Sequence, residues 1–261
     1  MKRAAERHFG MALGRMNIPS AEIRDFAAIG HFSGAELPMD SWLGEKKYAA
    51  SHEKKKYPVL HCGSIMDPQV CRAIVTAPEK HRREFACECG ALCEKLWQNG
   101  VNTVSLDFGM EEILTDPAAE DAVRGILLLL APVLYRTKQT LLLPYRVPSR
   151  FSPSEMNRFL RRTLIGQVKL RLDVHPYELE EPERVITQTA DLLVFEVRSV
   201  TFIYDADSGC RIRKEHLELW LRRLERRGFC GPYLLAPISR RQMALPEAGA
   251  WDKIAEIFLN E

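Results

Sequence analysis

Short apolar segments alternate along the chain with longer stretches in which apolar residues recur every three or four positions, the pattern of strand and helix units that builds a parallel sheet. Eight strands are predicted: HFGMALG at 8–14, GAELPM at 34–39, PVLHCGS at 58–64, TVSLDFG at 103–109, TLLLPYR at 140–146, VKLRLDVH at 168–175, LLVFEVRSV at 192–200 and PYLLAPI at 232–238. Between them, Phe85, Cys89, Leu92 and Leu96 fall on one helical face, as do Leu217, Leu221 and Leu224. Ser20 after Pro19 and the run Ser152, Pro153, Ser154, Glu155 are helix starts, and Trp251, Ile254 and Phe258 mark a last helix. GILLLLAPVLY at 125–135 reads as a buried helix, being shorter than the roughly 20 residues of a membrane span. The polar segment 40–57 and the irregular segment 65–80 read as long connections of the kind that cover a barrel mouth. Without an internal repeat or a shift in composition, the expectation is a single (β/α)8 barrel domain over residues 1–261.

Alternation within the strands says which side chains face the barrel interior. In the sixth strand Leu170, Leu172 and Val174 are apolar, whereas Lys169, Arg171, Asp173 and His175 are polar and are assigned inward. The same reading turns Thr103, Ser105 and Asp107 inward from the fourth strand, Glu196 and Arg198 from the seventh, Glu36 from the second and His61 from the third. Seven functional side chains would then converge: Glu36, His61, Asp107, Asp173, His175, Glu196 and Arg198. One account is a buried ion network that neutralises itself. The other is a site at the carboxyl ends of the strands, where this architecture carries its chemistry, built on Asp107, Asp173, His175 and Arg146. Lys169 and Arg171 lie deeper and read as structural.

Composition narrows the classes. A hydrophobic fraction of 46% with 28% charged residues fits a globular chain and excludes a disordered one. A net charge of +2 is too small to argue for nucleic acid, so none is expected, and the basic runs EKKK at 53–56 and RRLERR at 222–227 read as solvated faces. Seven scattered cysteines without a secretory leader fit a reducing, cytoplasmic setting. Cys87, Cys89 and Cys93 lack a second pair to complete a metal set and read as small buried hydrophobes. Cys62 stands beside His61, but alternation turns it toward the helices. No glycine-rich phosphate loop is present, so no nucleotide cofactor is expected. Arg146, Arg150 and Arg198 could clamp a carboxylate or phosphate.

GHFSGAEL at 30–37, LRLDVH at 170–175 and RGFCGPY at 227–233 resemble segments of the xylose isomerase-like TIM-barrel superfamily of sugar phosphate isomerases and epimerases, which also holds barrel endonucleases acting on abasic DNA. The resemblance implies a divalent metal held by a Glu ending the fifth strand, an Asp on the sixth, a His on or near the seventh and a Glu ending the eighth. Only Asp173 matches, with His175 two residues on. The fifth strand offers Pro144 or Tyr145, the seventh no histidine, and the eighth Leu235, Ala236 and Pro237. Glu36, Asp107, Asp173, His175 and Glu196 could form a substitute set.

The expectation is a divergent isomerase- or epimerase-like enzyme acting on a sugar or sugar-derived acid. Asp173 and His175 would move protons, with Glu196 or Asp107 as the second acid or base. Glu36, His61, Arg146 and Arg198 would bind substrate. The alternative is a barrel without catalysis that binds a carbohydrate or a protein partner after losing its metal. No membrane association is expected, and a homo-oligomer is compatible with either reading.

Overall fold

The computed structural model describes residues 9–12, 34–37, 39, 43, 59–175, 181–193, 196–205 and 214–238. Its strands are β1 (Phe9–Ala12), β2 (Gly34–Leu37), β3 (Val59–Ser64), β4 (Thr103–Ser105), β5 (Thr140–Val147), β6 (Val168–Val174), β7 (Val197–Asp205) and β8 (Tyr233–Ile238). They pair in parallel in chain order, and β8 returns to β1 with Met11 opposite Leu235, which closes the sheet into a barrel. The protein is therefore an α/β fold around a parallel sheet. Among the described residues the helices are α1 (Pro68–Val75), α2 (Glu79–Gln98), α3 (Met110–Ile113), α4 (Pro117–Thr137), α5 (Pro153–Thr163), α6 (Pro182–Leu193) and α7 (Lys214–Arg226). The predicted helix starts at Ser20 and the predicted last helix at Trp251, Ile254 and Phe258 lie outside the described residues.

Local chemistry explains where the helices begin. Asp67 and Asp116 each accept a hydrogen bond from the backbone two residues on, at 2.6 and 2.9 Å, and each precedes a proline at the first helical position. At α5 the Ser152 backbone N–H donates to Glu155 Oε2 at 3.0 Å, the reciprocal half of a capping box. The segment 65–80, expected to be irregular, contains α1, whose cap at Asp67 and Pro68 gives the reason. Helix α4 is longer than the apolar run suggests and is not buried all round: Leu128, Leu129 and Tyr135 are about half exposed. No helix among the described residues is long and apolar enough to cross a membrane.

Outward strand side chains such as Val104, Leu143, Leu172 and Phe202 pack with Phe85, Leu96, Ile126 and Trp220 of the helices in one continuous core. A second, small cluster of Ala12, Ile203, Leu234 and Ala236 lies on β1, β7 and β8. Two glycines set the approach to β8. Gly228 has φ +91°, and a Cβ at Gly231 would stand 2.4 Å from the Arg198 carbonyl oxygen, so the chain can turn in only without a side chain there.

Candidate functional site

The sixth strand decides the site, because its inward side chains are charged. Arg171 is buried at 4% exposure, Glu36 at 2% and Asp173 at 6%. Arg171 Nε donates to Asp173 Oδ1 at 2.9 Å and Nη2 to Oδ2 at 3.3 Å, a two-pronged grip on one carboxylate. Its Nη1 donates to Glu36 Oε2 at 3.1 Å and Oε1 at 3.3 Å, and to Ser105 Oγ at 3.3 Å. Since β2 and β6 stand four places apart in an eight-strand barrel, this guanidinium bridges opposite walls. Burial works against the Arg171 charge, but the Asp173 and Glu36 carboxylates outweigh it and raise the guanidinium above its ordinary range. The network expected as the bland alternative thus exists, with Arg171 at its centre rather than in a remote structural place.

Above this network opens a cavity of about 770 Å³ at the carboxyl ends of the strands. Glu36, Arg171 and Asp173 form part of its wall, joined by His175, Asp107 and Arg146. Asp107 follows β4, is half-buried, and accepts the Gly109 backbone N–H at 3.0 Å, which fixes its carboxylate at the rim. Gly109 itself has φ +71°, with the Arg72 side chain 3.1 Å from where its Cβ would be. Arg146 pairs in register with Asp173 and is exposed toward the mouth, while the His175 backbone is held by a 2.8 Å hydrogen bond to the Val147 carbonyl. Arg150 is exposed and does not line the cavity.

Three predicted residues lie elsewhere. Glu196 precedes β7 and pairs with Lys169 Nζ at 2.5 Å, at the amino end of the strands and away from the mouth. Arg198 is exposed. The reason is twofold: β7 runs Val197–Asp205 instead of 192–200, and its pairing with β6 slips between Leu170 and Arg171, so that Arg198 is an extra residue and the alternation changes phase. Ser199 and Thr201, opposite Arg171 and Asp173, face inward in their place. His61 is buried next to Glu36 in register but does not line the cavity.

The sequence reading missed Arg171 as a wall residue and also Glu111, on the short α3, which lines the cavity with one carboxylate oxygen buried and without a partner among the described residues. A charged residue just after Gly109 was the available signal. His61 Nδ1, Ser199 Oγ and Thr201 Oγ1 are buried and likewise lack partners among the described residues, but none of the three lines the cavity. Cys62, Cys89 and Cys93 are buried and pack in the core, and burial pushes the Cys93 thiol up to about 12, whereas Cys87, expected to be buried with them, is exposed on the outer face of α2.

His61 gives the barrel a pH signature. Burial lowers its imidazole from 6.5 to about 4, Arg171 lowers it further, and Glu36 opposes them. The unfolded chain takes up this proton near pH 6.5 and the folded one only near pH 4, so the neutral His61 contributes fully above about 6.5 and its contribution falls away toward pH 4. A shift of this size is worth about 3 kcal/mol. Denaturant titrations from pH 7 to 4 should therefore show a shallower loss of stability in His61→Gln than in the parent, and equal slopes would refute the assignment.

No family model matches the sequence, and no curated protein matches it. Solved structures do. The chain superposes on 3-keto-D-glucoside 4-epimerase from E. coli with a TM-score of 0.67 at 16% identity, over 97% of this chain and 99% of that one. The two chains share a fold. D-Psicose 3-epimerase from Clostridium cellulolyticum H10, solved with D-tagatose, follows at TM-score 0.62 and 13% identity over 95% and 90% of the two chains. An AP endonuclease of family 2 from Brucella melitensis matches at 0.65 and 16% over 95% and 99%.

The divalent metal that the resemblance to xylose isomerase-like proteins implies does not fit these residues. Both Asp173 oxygens and both Glu36 oxygens are within hydrogen-bonding distance of Arg171. At the levels where further ligands are required stand Pro144, Tyr145 and Ala236. Among the described residues no three His, Cys, Asp or Glu side chains are grouped to hold an ion.

Proposed function

We propose that this chain is a sugar isomerase- or epimerase-like enzyme, a single (β/α)8 domain that carries out acid/base chemistry without a metal at the barrel mouth. The observation that supports it best is one cavity of about 770 Å³, a volume in the range that holds a small molecule, walled by Asp173, His175, Asp107 and Arg146 together. Isomerisation and epimerisation both need a base to take a proton from carbon beside a carbonyl and an acid to return one. His175 suits the first role, since imidazoles exchange protons near neutral pH. Asp107 or Glu111, which line the same cavity, would serve the second, and Asp173 would orient the ligand while held by Arg171. Arg146, exposed at the rim, would meet an anionic substituent on a sugar-derived acid.

The test is a melting-temperature screen against D-fructose, D-tagatose, D-psicose and 3-keto-glucosides, followed by product analysis for any ligand that stabilises the protein. Stabilisation with conversion supports the enzyme. The loss of the metal ligands specifically favours a second reading, a carbohydrate-binding barrel, whose outcome is stabilisation without conversion. Absence of stabilisation by every compound would count against both.

A further inference from the structure

The disagreement between the metal site that the fold implies and the residues present has a positive content. Glu36, Arg171 and Asp173 occupy the floor of the cavity, so the charge that faces a ligand there is a guanidinium held between two carboxylates. Each Nη of a guanidinium carries a pair of N–H groups and Nε one. Asp173 takes Nε and one N–H of Nη2, while Glu36 and Ser105 take Nη1. One N–H of Nη2 is left without a partner among the described residues, on a residue that walls the cavity. The cluster carries two negative charges against one positive, which disfavours a carboxylate or phosphate at the floor and suits a neutral oxygen. Arg146, in register with Asp173 on β5, is exposed toward the mouth, so its charge stands at the rim rather than at the floor.

We propose that Arg171 is the resident cation of this site in place of a divalent metal: it fixes Glu36 and Asp173 and offers its remaining Nη2 hydrogen to a neutral carbonyl or hydroxyl oxygen of a sugar. The proposal rests on the sugar-binding reading of the mouth and narrows it, because the end of the substrate that reaches the floor is uncharged and any anionic group stays at the rim near Arg146.

The experiment uses Mn²⁺ alone, without sugar, so that its failure is separable from failure of the sugar reading. The parent protein, Arg171→Lys and Arg171→Ala are stripped with chelator and titrated with Mn²⁺, reading bound ion by electron paramagnetic resonance and the melting temperature. The parent and Arg171→Lys should bind no Mn²⁺ at this site and show no shift. Arg171→Ala frees the carboxylates of Glu36 and Asp173 to face one space, where two carboxylates with waters completing the shell should hold a single ion per chain, with a rise of about 5–10 °C near saturation. That rise should vanish when Asp173→Asn is added. Mn²⁺ bound by the parent and lost with Asp173→Asn would overturn the proposal, as would a folded Arg171→Ala that ignores Mn²⁺. Should Arg171→Ala fail to fold, the parent and the lysine variant still decide, because binding by either contradicts a guanidinium occupant.

Discussion

Arg171→Met is expected to destabilise the protein by about 3–5 kcal/mol, the usual cost of removing one partner from a buried ion pair and leaving the other charged. Here two carboxylates are stranded, Glu36 and Asp173, at 2% and 6% exposure. Both are too deeply buried for water to restore the lost hydrogen bonds in full. Neutralising the stranded groups as well should reverse much of the damage: Arg171→Met combined with Glu36→Gln and Asp173→Asn should recover more than half of the loss. Chemical denaturation of the set measures this as a coupling, since the three side chains are in direct contact and their effects cannot add. If the single variant loses less than about 1 kcal/mol, as a surface pair would, the guanidinium is not the keystone described.

His175→Ala is expected to lower turnover by about 10²–10⁴-fold, the range for a general acid or base. Sugar affinity should change far less, because the cavity walls at Asp107, Arg146 and Arg171 remain. The strand end should also survive, since the residue at 175 keeps its backbone hydrogen bond to the Val147 carbonyl whatever the side chain. Comparing kcat with KM for any converted sugar separates the outcomes. A fall in kcat with little change in KM marks proton transfer, whereas a rise in KM alone makes His175 a binding group.

The strand pattern was legible because alternation and the glycine-bounded apolar runs are local properties. Four inward side chains on β4 and β6 follow it, Ser105, Lys169, Arg171 and Asp173, and His175 just beyond β6 lines the cavity. Strand β7 was misread because Leu192, Leu193 and Val194 look like a strand start, and Leu192 and Leu193 instead end α6. The slip beside Arg198 then inverted the alternation, which no local pattern reveals. Arg171 was seen as inward but not as central, since its partner Glu36 is 135 residues away and only closure of the barrel brings them together. Glu111 was missed because a four-residue helix carries no periodicity. Glu36 and Asp107 reached the cavity as their strands suggested, whereas His61 lies buried outside its lining.

The most direct test of metal-free sugar chemistry at this mouth is proton exchange. Chelator-treated protein is incubated in D₂O with D-fructose, D-tagatose, D-psicose and 3-keto-glucosides, and deuterium uptake at the carbon beside the carbonyl is followed by NMR. Uptake into at least one sugar with chelator present, lost in His175→Ala, is the expected result. Uptake that appears only when Mn²⁺ or Mg²⁺ is restored would contradict the central role given to Arg171, and no uptake from any sugar that demonstrably binds would leave a barrel that holds carbohydrate without transforming it.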